Sequence, residues 1–276
     1  MIVIIFLTLL ISVNELPAAE ATDSEKTTVP VRSKKTYVLV VNGISKDPNE
    51  RLEKDKSVSD LRNFFLNGVK IEADRLSILM VKSSSADKTS QIPTAENLKK
   101  TIDTLAHSVK PQDRFIFYYL GQANVVTGKL RFNLLGEDIT HEKLAEWLNK
   151  ISASSTLIVL DCPVAGLAAK GMTGPGRIVV CACTSEQRYS TQFSRYFISA
   201  LVDRKSDIDA DGKVSLLEAF TSASRHLDDF YRQRQLLKTE TPVLEDNQDG
   251  IPSQYPWRFE IDGKDGLNAS KFFLRE

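Results

Sequence analysis

The chain contains an unbroken apolar run that ends in a glycine turn, Phe115-Ile-Phe-Tyr-Tyr-Leu-Gly-Gln-Ala123. A second run has the same form, Thr156-Leu-Ile-Val-Leu-Asp-Cys-Pro-Val-Ala-Gly166. Neither run alternates between apolar and polar residues, so both faces of each predicted strand must be covered by other parts of the protein. Such strands are typical of a parallel sheet that lies between two layers of helices. These two runs are the centre of the predicted fold.

Further strands and helices are predicted on either side of these runs. Short apolar runs indicate the strands, and apolar residues at helical spacing indicate the helices. The predicted strands are 37–41, 76–81, 115–119, 156–160 and 178–182, with another at 257–261, and the predicted helices are 57–68, 94–109, 140–151, 191–202 and 216–236. This alternation predicts a doubly wound α/β domain, a three-layer α/β/α sandwich with a mostly parallel sheet. Because ligands bind beyond the carboxyl ends of such strands, we expect the site in the turns that follow them.

The N-terminal residues have the features of an export signal. Residues 2–13 form an apolar run, which is shorter than the about 20 residues that a membrane-spanning helix needs. Small residues at Ala19 and Ala21 fit a signal-peptidase site. We therefore predict a signal peptide at 1–21 and export to the periplasm or the extracellular space, with an uncleaved membrane anchor as the alternative. The polar residues 22–35 are predicted to be a disordered linker.

The composition suits one globular domain without a nucleic-acid partner. The formal net charge is +0, whereas a nucleic-acid-binding protein usually carries a basic stripe. There are three cysteines, and Cys181 and Cys183 are too close along a predicted strand to form an unstrained bridge. We therefore expect no disulfide framework. The predicted domain covers residues 36–250, and the extension 251–276 either packs on it or is partly disordered.

The turns after the two apolar runs resemble the catalytic turns of the caspase and legumain cysteine peptidases. In that superfamily one strand ends in Tyr-Tyr-Ser-Gly-His-Gly, where His is the general base, and a later strand ends in Asp-x-Cys-x-Ser-Gly, where Cys is the nucleophile. Here Tyr118, Tyr119 and Gly121 match the first pattern, and Asp161 and Gly166 match the second. The resemblance covers about residues 36–250, and its later segments are similar to those of bacterial members. The other segments that carry it are 36–43, 177–186, 207–218 and 241–247.

Both catalytic positions of this pattern differ in the present chain. Gln122 stands where the family has its His, Pro163 stands where it has its Cys, and Ala165 replaces its Ser. Glutamine does not accept a proton at neutral pH, and proline offers neither a nucleophile nor a backbone N–H for an oxyanion. We therefore predict an inactive pseudopeptidase that keeps its cleft and uses it to bind a peptide or protein, as an exported scaffold domain.

Two alternatives remain open. Cys162 lies one position before the expected nucleophile, and an active cysteine endopeptidase would use it with a non-standard base. The three histidines, His107, His141 and His226, are all predicted to lie on helices rather than in a turn after a strand. The other alternative is an unrelated α/β protein with an accidental likeness, in which the glutamine and proline turns would lie far apart.

A second motif predicts a calcium site. The segment Asp207-Ile-Asp-Ala-Asp-Gly-Lys-Val-Ser-Leu-Leu-Glu218 fits the EF-hand loop pattern over its full length. Calcium requires several hard oxygen atoms that converge on one point. We predict one structural Ca²⁺ ion, and the alternative is a solvated acidic turn in which Ser215 caps the next helix. The predicted ligands are Asp207, Asp209, Asp211, Lys213, Ser215 and Glu218.

Overall fold

A computed structural model describes residues 34–81 and 91–275 of the chain. The predicted signal peptide and most of the predicted linker lie outside these residues. The strands are β1 (Thr36–Asn42), β2 (Leu76–Leu79), β3 (Arg114–Leu120), β4 (Ala123–Val126), β5 (Lys129–Phe132), β6 (Ile139–Thr140), β7 (Ser155–Asp161), β8 (Arg177–Cys181) and β9 (Val243–Glu245). The helices are α1 (Pro48–Asn63), α2 (Ala95–Ser108), α3 (His141–Leu148), α4 (Ala169–Met172), α5 (Phe193–Val202), α6 (Leu216–Gln233), α7 (Phe259–Asp262) and α8 (Leu267–Ser270).

Six strands form the central sheet in the order β2-β1-β3-β7-β8-β9. The first five are parallel to one another, and β9 pairs with β8 in the antiparallel direction. Helices flank this sheet, so the prediction of an α/β sandwich with a mostly parallel sheet is confirmed. No helix in the described residues is both long enough and apolar enough to cross a membrane.

The central strands are buried on both faces, as their continuous apolar sequences require. In β1, Leu39 and Val41 join a core cluster that contains residues of α2 and α3. Val38 and Val40 point to the opposite face, into a cluster with residues of α1, α5 and α6. Because side chains alternate between the faces of a strand, one short apolar run contributes to both halves of the core.

Helix α1 begins nine residues before the predicted helix. Asp47 caps it, since its side chain accepts hydrogen bonds from the backbone N–H groups of Asn49 and Glu50. The first half of the helix is mostly polar, so its sequence lacks the apolar periodicity that begins at Val58. The predicted helix 57–68 therefore contained only the second half of α1 and the π-helical turn Phe64–Gly68.

Two further elements differ from the sequence predictions. The expected strand at 257–261 is wrong, because these residues form a 3₁₀ turn, Pro256–Arg258, followed by α7. Proline at the first helical position favours this helical start. The hairpin of β4 and β5, to which β6 adds, was not predicted. Its turn residues Thr127 and Gly128 both have positive φ angles, of 50° and 77°, as a tight hairpin turn requires.

Each edge strand of the central sheet is hydrogen-bonded to a further segment of backbone. On the β9 side, Leu244 and Ser253 exchange two backbone hydrogen bonds of 2.9 and 2.7 Å. On the β2 side, the N–H of Gln91 donates to the carbonyl of Ile78, and the carbonyl of Gln91 accepts from the N–H of Met80. The chain beyond β9 also contributes Phe272 and Leu274 to the core.

Candidate functional site

The two turns singled out in the sequence lie side by side at the carboxyl edge of the sheet. Strands β3 and β7 are parallel neighbours, and Leu120 is the register partner of Asp161. The backbone N–H of Gly121 then donates to the carbonyl of Asp161 at 3.1 Å. The turn that carries Gln122 is therefore adjacent to the turn that carries Cys162 and Pro163.

Glycine is required at two positions of this edge. Gly121 has a φ of +151°, and a Cβ there would lie 2.8 Å from the Cα of Gly43. A Cβ on Gly43 would lie 2.1 Å from the hydroxyl oxygen of Tyr119. Such distances are too short for any side chain, so the turns after β1 and β3 approach each other through bare backbone.

Gln122 belongs to a hydrogen-bonded group that we call the Gln122 cluster: Ser45, Glu50, Gln122 and Ser190. The Nε2 atom of Gln122 lies 2.6 and 2.7 Å from the two carboxylate oxygens of Glu50 and 2.8 Å from Oγ of Ser190. The hydroxyl of Ser45 donates to the same carboxylate. The hydroxyl of Tyr119 donates to the backbone carbonyl of Gln122 at 2.7 Å. The position expected for a general base is thus occupied by a fixed amide.

Cys162 and Pro163 are both buried. The exposed fraction of Cys162 is 0%. Burial, and then the nearby Cys183 and Asp161, raise the pKa of the Cys162 thiol well above its ordinary value. Val164 follows in the left-handed region with a φ of 60°. The turn therefore directs its one sulfur atom into the core, where a thiolate is unfavourable.

None of the three histidines hydrogen-bonds to Cys162 in the described residues. His107 is exposed on α2, and its Nδ1 lies 2.6 Å from the carbonyl of Asp103. His141 lies in the first turn of α3, with its Nδ1 3.4 Å from the carbonyl of Leu130. His226 is exposed on α6. These contacts give no support to an active thiol–imidazole pair.

We expect Cys162 to resist alkylation in the folded protein. All three cysteines are buried, and burial raises the pKa of Cys183 to about 12. Each unit above the ordinary pKa of about 8.5 lowers the thiolate fraction at neutral pH roughly tenfold. Iodoacetamide should therefore label the native cysteines at least about 1,000-fold more slowly than the unfolded chain, as measured by mass spectrometry of the peptides. Rapid labelling of Cys162 alone would revive the active-enzyme alternative.

Asp161 anchors a buried ionic cluster beneath this edge. Its carboxylate accepts from Nζ of Lys54 at 2.9 Å, from the hydroxyl of Thr191 and from the backbone N–H of Ser194 at 3.2 Å. The Lys54 and Asp161 side chains are only 6% and 0% exposed. Lys54 also donates to the carbonyl of Thr191 at 3.1 Å. The end of β7 is thus tied to α1 and to the start of α5.

Glu240 is a second buried carboxylate of the buried ionic cluster. Its two oxygens lie 2.8 and 2.9 Å from the backbone N of Gln192, and the hydroxyl of Tyr231 donates to one of them at 3.0 Å. Burial, and then repulsion by Asp161, raise the pKa of Glu240 to about 7. Lys54 opposes this change through its positive charge. The cluster therefore contains the carboxyl groups of Asp161 and Glu240 and the ammonium group of Lys54. Its charge depends on pH through Glu240, whose pKa is about 7.

The acidic loop brings three of its six predicted calcium ligands together. Carboxylate oxygens of Asp207, Asp209 and Asp211 all lie within 4.8 Å of one another. The backbone N–H groups of Asp211 and Gly212 donate to the Asp207 carboxylate at 3.1 and 3.0 Å. These contacts fold the loop around its own carboxylates.

The remaining predicted ligands make other contacts. Ser215 caps α6 in a reciprocal arrangement with Glu218, in which the Ser215 hydroxyl accepts from the Glu218 N–H and the carboxylate accepts from the Ser215 N–H. The second Glu218 oxygen accepts from the N–H groups of Ile208 and Asp209. Lys213, whose carbonyl is the predicted ligand, donates its N–H to Asp211 at 2.8 Å. Glu218 is therefore turned toward the loop backbone, and it would have to exchange these bonds to bind a metal.

No family model matches this chain, and no curated protein matches it either. The likeness to the caspase and legumain peptidases therefore depends on the residues quoted from the sequence. Sequence reasoning did not find the partners that surround the matched positions. These are Glu50 and Ser190 beside Gln122, and Lys54, Thr191 and Glu240 around Asp161.

Proposed function

We propose that this protein is a non-catalytic domain, related to the caspase and legumain peptidases, that binds a peptide or protein segment at the carboxyl edge of its sheet. The observation that carries this proposal is the Gln122 cluster. Where the family places a general base next to a nucleophile, this chain has an amide held by Glu50 and Ser190, next to a buried thiol. Such a site retains hydrogen-bonding groups but has no reactive pair.

An exposed aromatic side chain beside the Gln122 cluster supports a binding role. Tyr189 directly precedes Ser190 and is 66% exposed. Aromatic anchors next to hydrogen-bonding groups are typical of protein-recognition surfaces. We further propose that the protein acts outside the cytoplasm, on the basis of the apolar run 2–13 and the small residues after it.

The binding role is tested by selecting peptides from a displayed random library on the immobilised protein and measuring their affinity by calorimetry. We expect the Tyr189→Asp variant to lose at least about tenfold in affinity, because hot-spot side chains carry most of the binding energy. Ile261→Asp is the matched control, since Ile261 is 78% exposed on α7. Equal loss in the control, or no selected peptide, would count against the site.

A second experiment tests whether the protein cleaves peptides. The same peptides, and libraries with Asp, Asn, Arg or Lys before the scissile bond, are incubated with the protein and examined for cleavage by mass spectrometry. We expect no cleavage. Cleavage that disappears in Cys162→Ala would overturn the inactive assignment and establish the endopeptidase alternative.

We also propose that the acidic loop binds a structural Ca²⁺ ion. The proposal rests on the match of residues 207–218 to the EF-hand loop pattern, whose carboxylate oxygens are ligands that calcium prefers. A bound ion would neutralise their mutual repulsion and fix the connection between α5 and α6. Ser215 and Glu218 would serve mainly to cap α6 and hold the loop, as their hydrogen bonds do in this structure.

Calcium should therefore raise the melting temperature of metal-free protein. If the dissociation constant is about 0.1–1 mM, about 10 mM Ca²⁺ adds about 1–3 kcal/mol, or roughly 3–10 °C. Asp209→Asn should abolish the shift, since it removes a ligand charge but keeps the oxygen that accepts from Asp211. Asp249→Asn, at an exposed position outside this loop, is the control and should keep the shift. Calorimetry that shows the same melting temperature with Ca²⁺ and with chelator would exclude the ion.

A further inference from the structure

A groove between α1 and α5 forms a second candidate binding site. Its volume is about 780 Å³, within the range of about 300–1,000 Å³ that small-molecule sites occupy. Arg275, near the end of the chain, lines the groove together with the two helices. No member of the Gln122 cluster lines it, whereas Lys54, Asp161, Thr191 and Gln192 around the buried ionic cluster do.

Two of the basic side chains that line the groove, those of Arg195 and Arg275, are not paired with a carboxylate among the described residues. Lys54 pairs with Asp161, and Lys56 pairs with Asp60 at 2.6 Å. In contrast, neither Arg195 nor Arg275 has a carboxylate within 4 Å in the part of the chain that the structure describes. The one other acid of the lining, Glu53, accepts a hydrogen bond of 3.1 Å from the amide of Gln192. Among the described residues that line the groove, basic side chains therefore outnumber acidic ones.

Arg275 is held in place by groups that do not neutralise it. Its guanidinium carbon lies 5.6 Å from the centre of the Phe64 ring, and its Nη1 donates to the carbonyl of Val202 at 3.4 Å. A Cβ on Gly68 would lie 3.1 Å from Nη2 of Arg275, so the glycine leaves space for the guanidinium. These contacts orient the exposed Arg275 side chain toward the groove, which reduces the rotamer freedom that is lost when an anion binds.

Apolar side chains continue the groove beside this cation. Ile198 is buried, whereas Val202 is 45% exposed. Along α5, Arg195, Ile198 and Val202 are spaced to share one helical face. The part of the groove near Asp161 is polar, but the side chains of Lys54, Asp161 and Thr191 there are already hydrogen-bonded to one another. The groove thus combines Arg275, an apolar wall and Arg195, which lies about 10 Å before Val202 along α5.

We infer that the α1–α5 groove binds a small amphipathic anion. The carboxylate or phosphate head group contacts Arg275, and an aryl or alkyl body lies against Phe64, Ile198 and Val202. Arg195 increases the attraction at the far end of the groove. This inference does not depend on the proposed peptide-binding function, since it uses different residues and a different class of ligand.

The test is a titration of the full chain with 4-phenylbutyrate and with phenyl phosphate, followed by NMR of the Ile198 and Val202 methyl groups. The two probes distinguish a carboxylate site from a phosphate site. We expect saturable shifts with at least one of them, and at least about tenfold weaker binding of the neutral 4-phenylbutanol, because charge-assisted hydrogen bonds are the stronger kind. Arg275→Gln should weaken binding at least tenfold, and Arg195→Gln by a few fold.

Arg234→Gln is the matched control. Arg234 is exposed, and its guanidinium carbon lies 4.6 Å from the centre of the Phe230 ring, but it does not line the groove. Its replacement should leave the affinity unchanged. The inference is overturned if neither anion produces saturable shifts, if the alcohol binds as tightly as the acid, or if Arg234→Gln weakens binding as much as Arg275→Gln.

Discussion

Lys54→Met is expected to lower the free energy of unfolding by about 3–5 kcal/mol, the largest effect of any substitution considered for this protein. The reason is that Asp161, which is fully buried, would lose the cation that lies 2.9 Å from its carboxylate. Removing one partner of a buried pair leaves an uncompensated charge, whereas replacing both partners often costs little. Urea unfolding of the two proteins, followed by circular dichroism, measures the difference.

Lys56→Met provides the matched control for this experiment. Lys56 lies two residues away on the same helix and pairs with Asp60, but the two side chains are 75% and 49% exposed. Exposed pairs contribute about 0–1 kcal/mol, so this variant should be nearly as stable as the natural protein. The double variant Lys54→Met/Asp161→Asn should recover part of the loss. Equal effects of Lys54→Met and Lys56→Met would show that the buried pair has no special weight.

Glu240 should make the stability depend on pH in the neutral range. Its pKa is raised from an ordinary 4.5 to about 7 in the folded protein. A raised pKa means that folding favours the protonated carboxyl, so the contribution is fully present below pH 4.5 and is lost as the pH rises through 7. A difference of this size corresponds to about 3 kcal/mol. The neighbours that set it are Asp161, Lys54, Tyr231 and the Gln192 N–H.

Glu240→Gln tests this prediction, because glutamine resembles the neutral carboxyl at every pH. The stability of the variant relative to the natural protein should increase by about 2–3 kcal/mol between about pH 5 and about pH 8. Glu137→Gln, an exposed position, serves as the control and should show no such trend. A constant difference between Glu240→Gln and the natural protein over this range would contradict a raised pKa.

The central sheet could be predicted because its central strands have continuously apolar sequences. Each of β1, β3, β7 and β8 is an apolar run that must be buried on both faces, and their predicted ends lie within one residue of the observed ones. The start of α1 could not be found in this way. Its first half is polar, and the cap at Asp47 has no apolar stripe behind it to mark a helix.

The candidate site was predictable only in part. The positions of Gln122 and Asp161 followed from strands that end in turns, because such turns meet at one edge of a parallel sheet. Their partners did not, since Lys54 and Glu50 are separated from them by 107 and 72 residues in the sequence. Long-range polar pairs of this kind leave no periodic trace in a sequence. They are fixed by the tertiary structure, which also determines that a lysine on a polar helix becomes buried.

The pairing of Ser253 with Leu244 and of Gln91 with Ile78 and Met80 has a consequence for how molecules of this protein can associate. An uncovered border strand is a template on which another chain can add by main-chain hydrogen bonding, and this is a common route to fibrils and to swapped dimers. Here the backbone groups of Leu244, the carbonyl of Ile78 and the N–H of Met80 are already hydrogen-bonded within the same chain. Another chain could pair at these positions of the central sheet only after those bonds break.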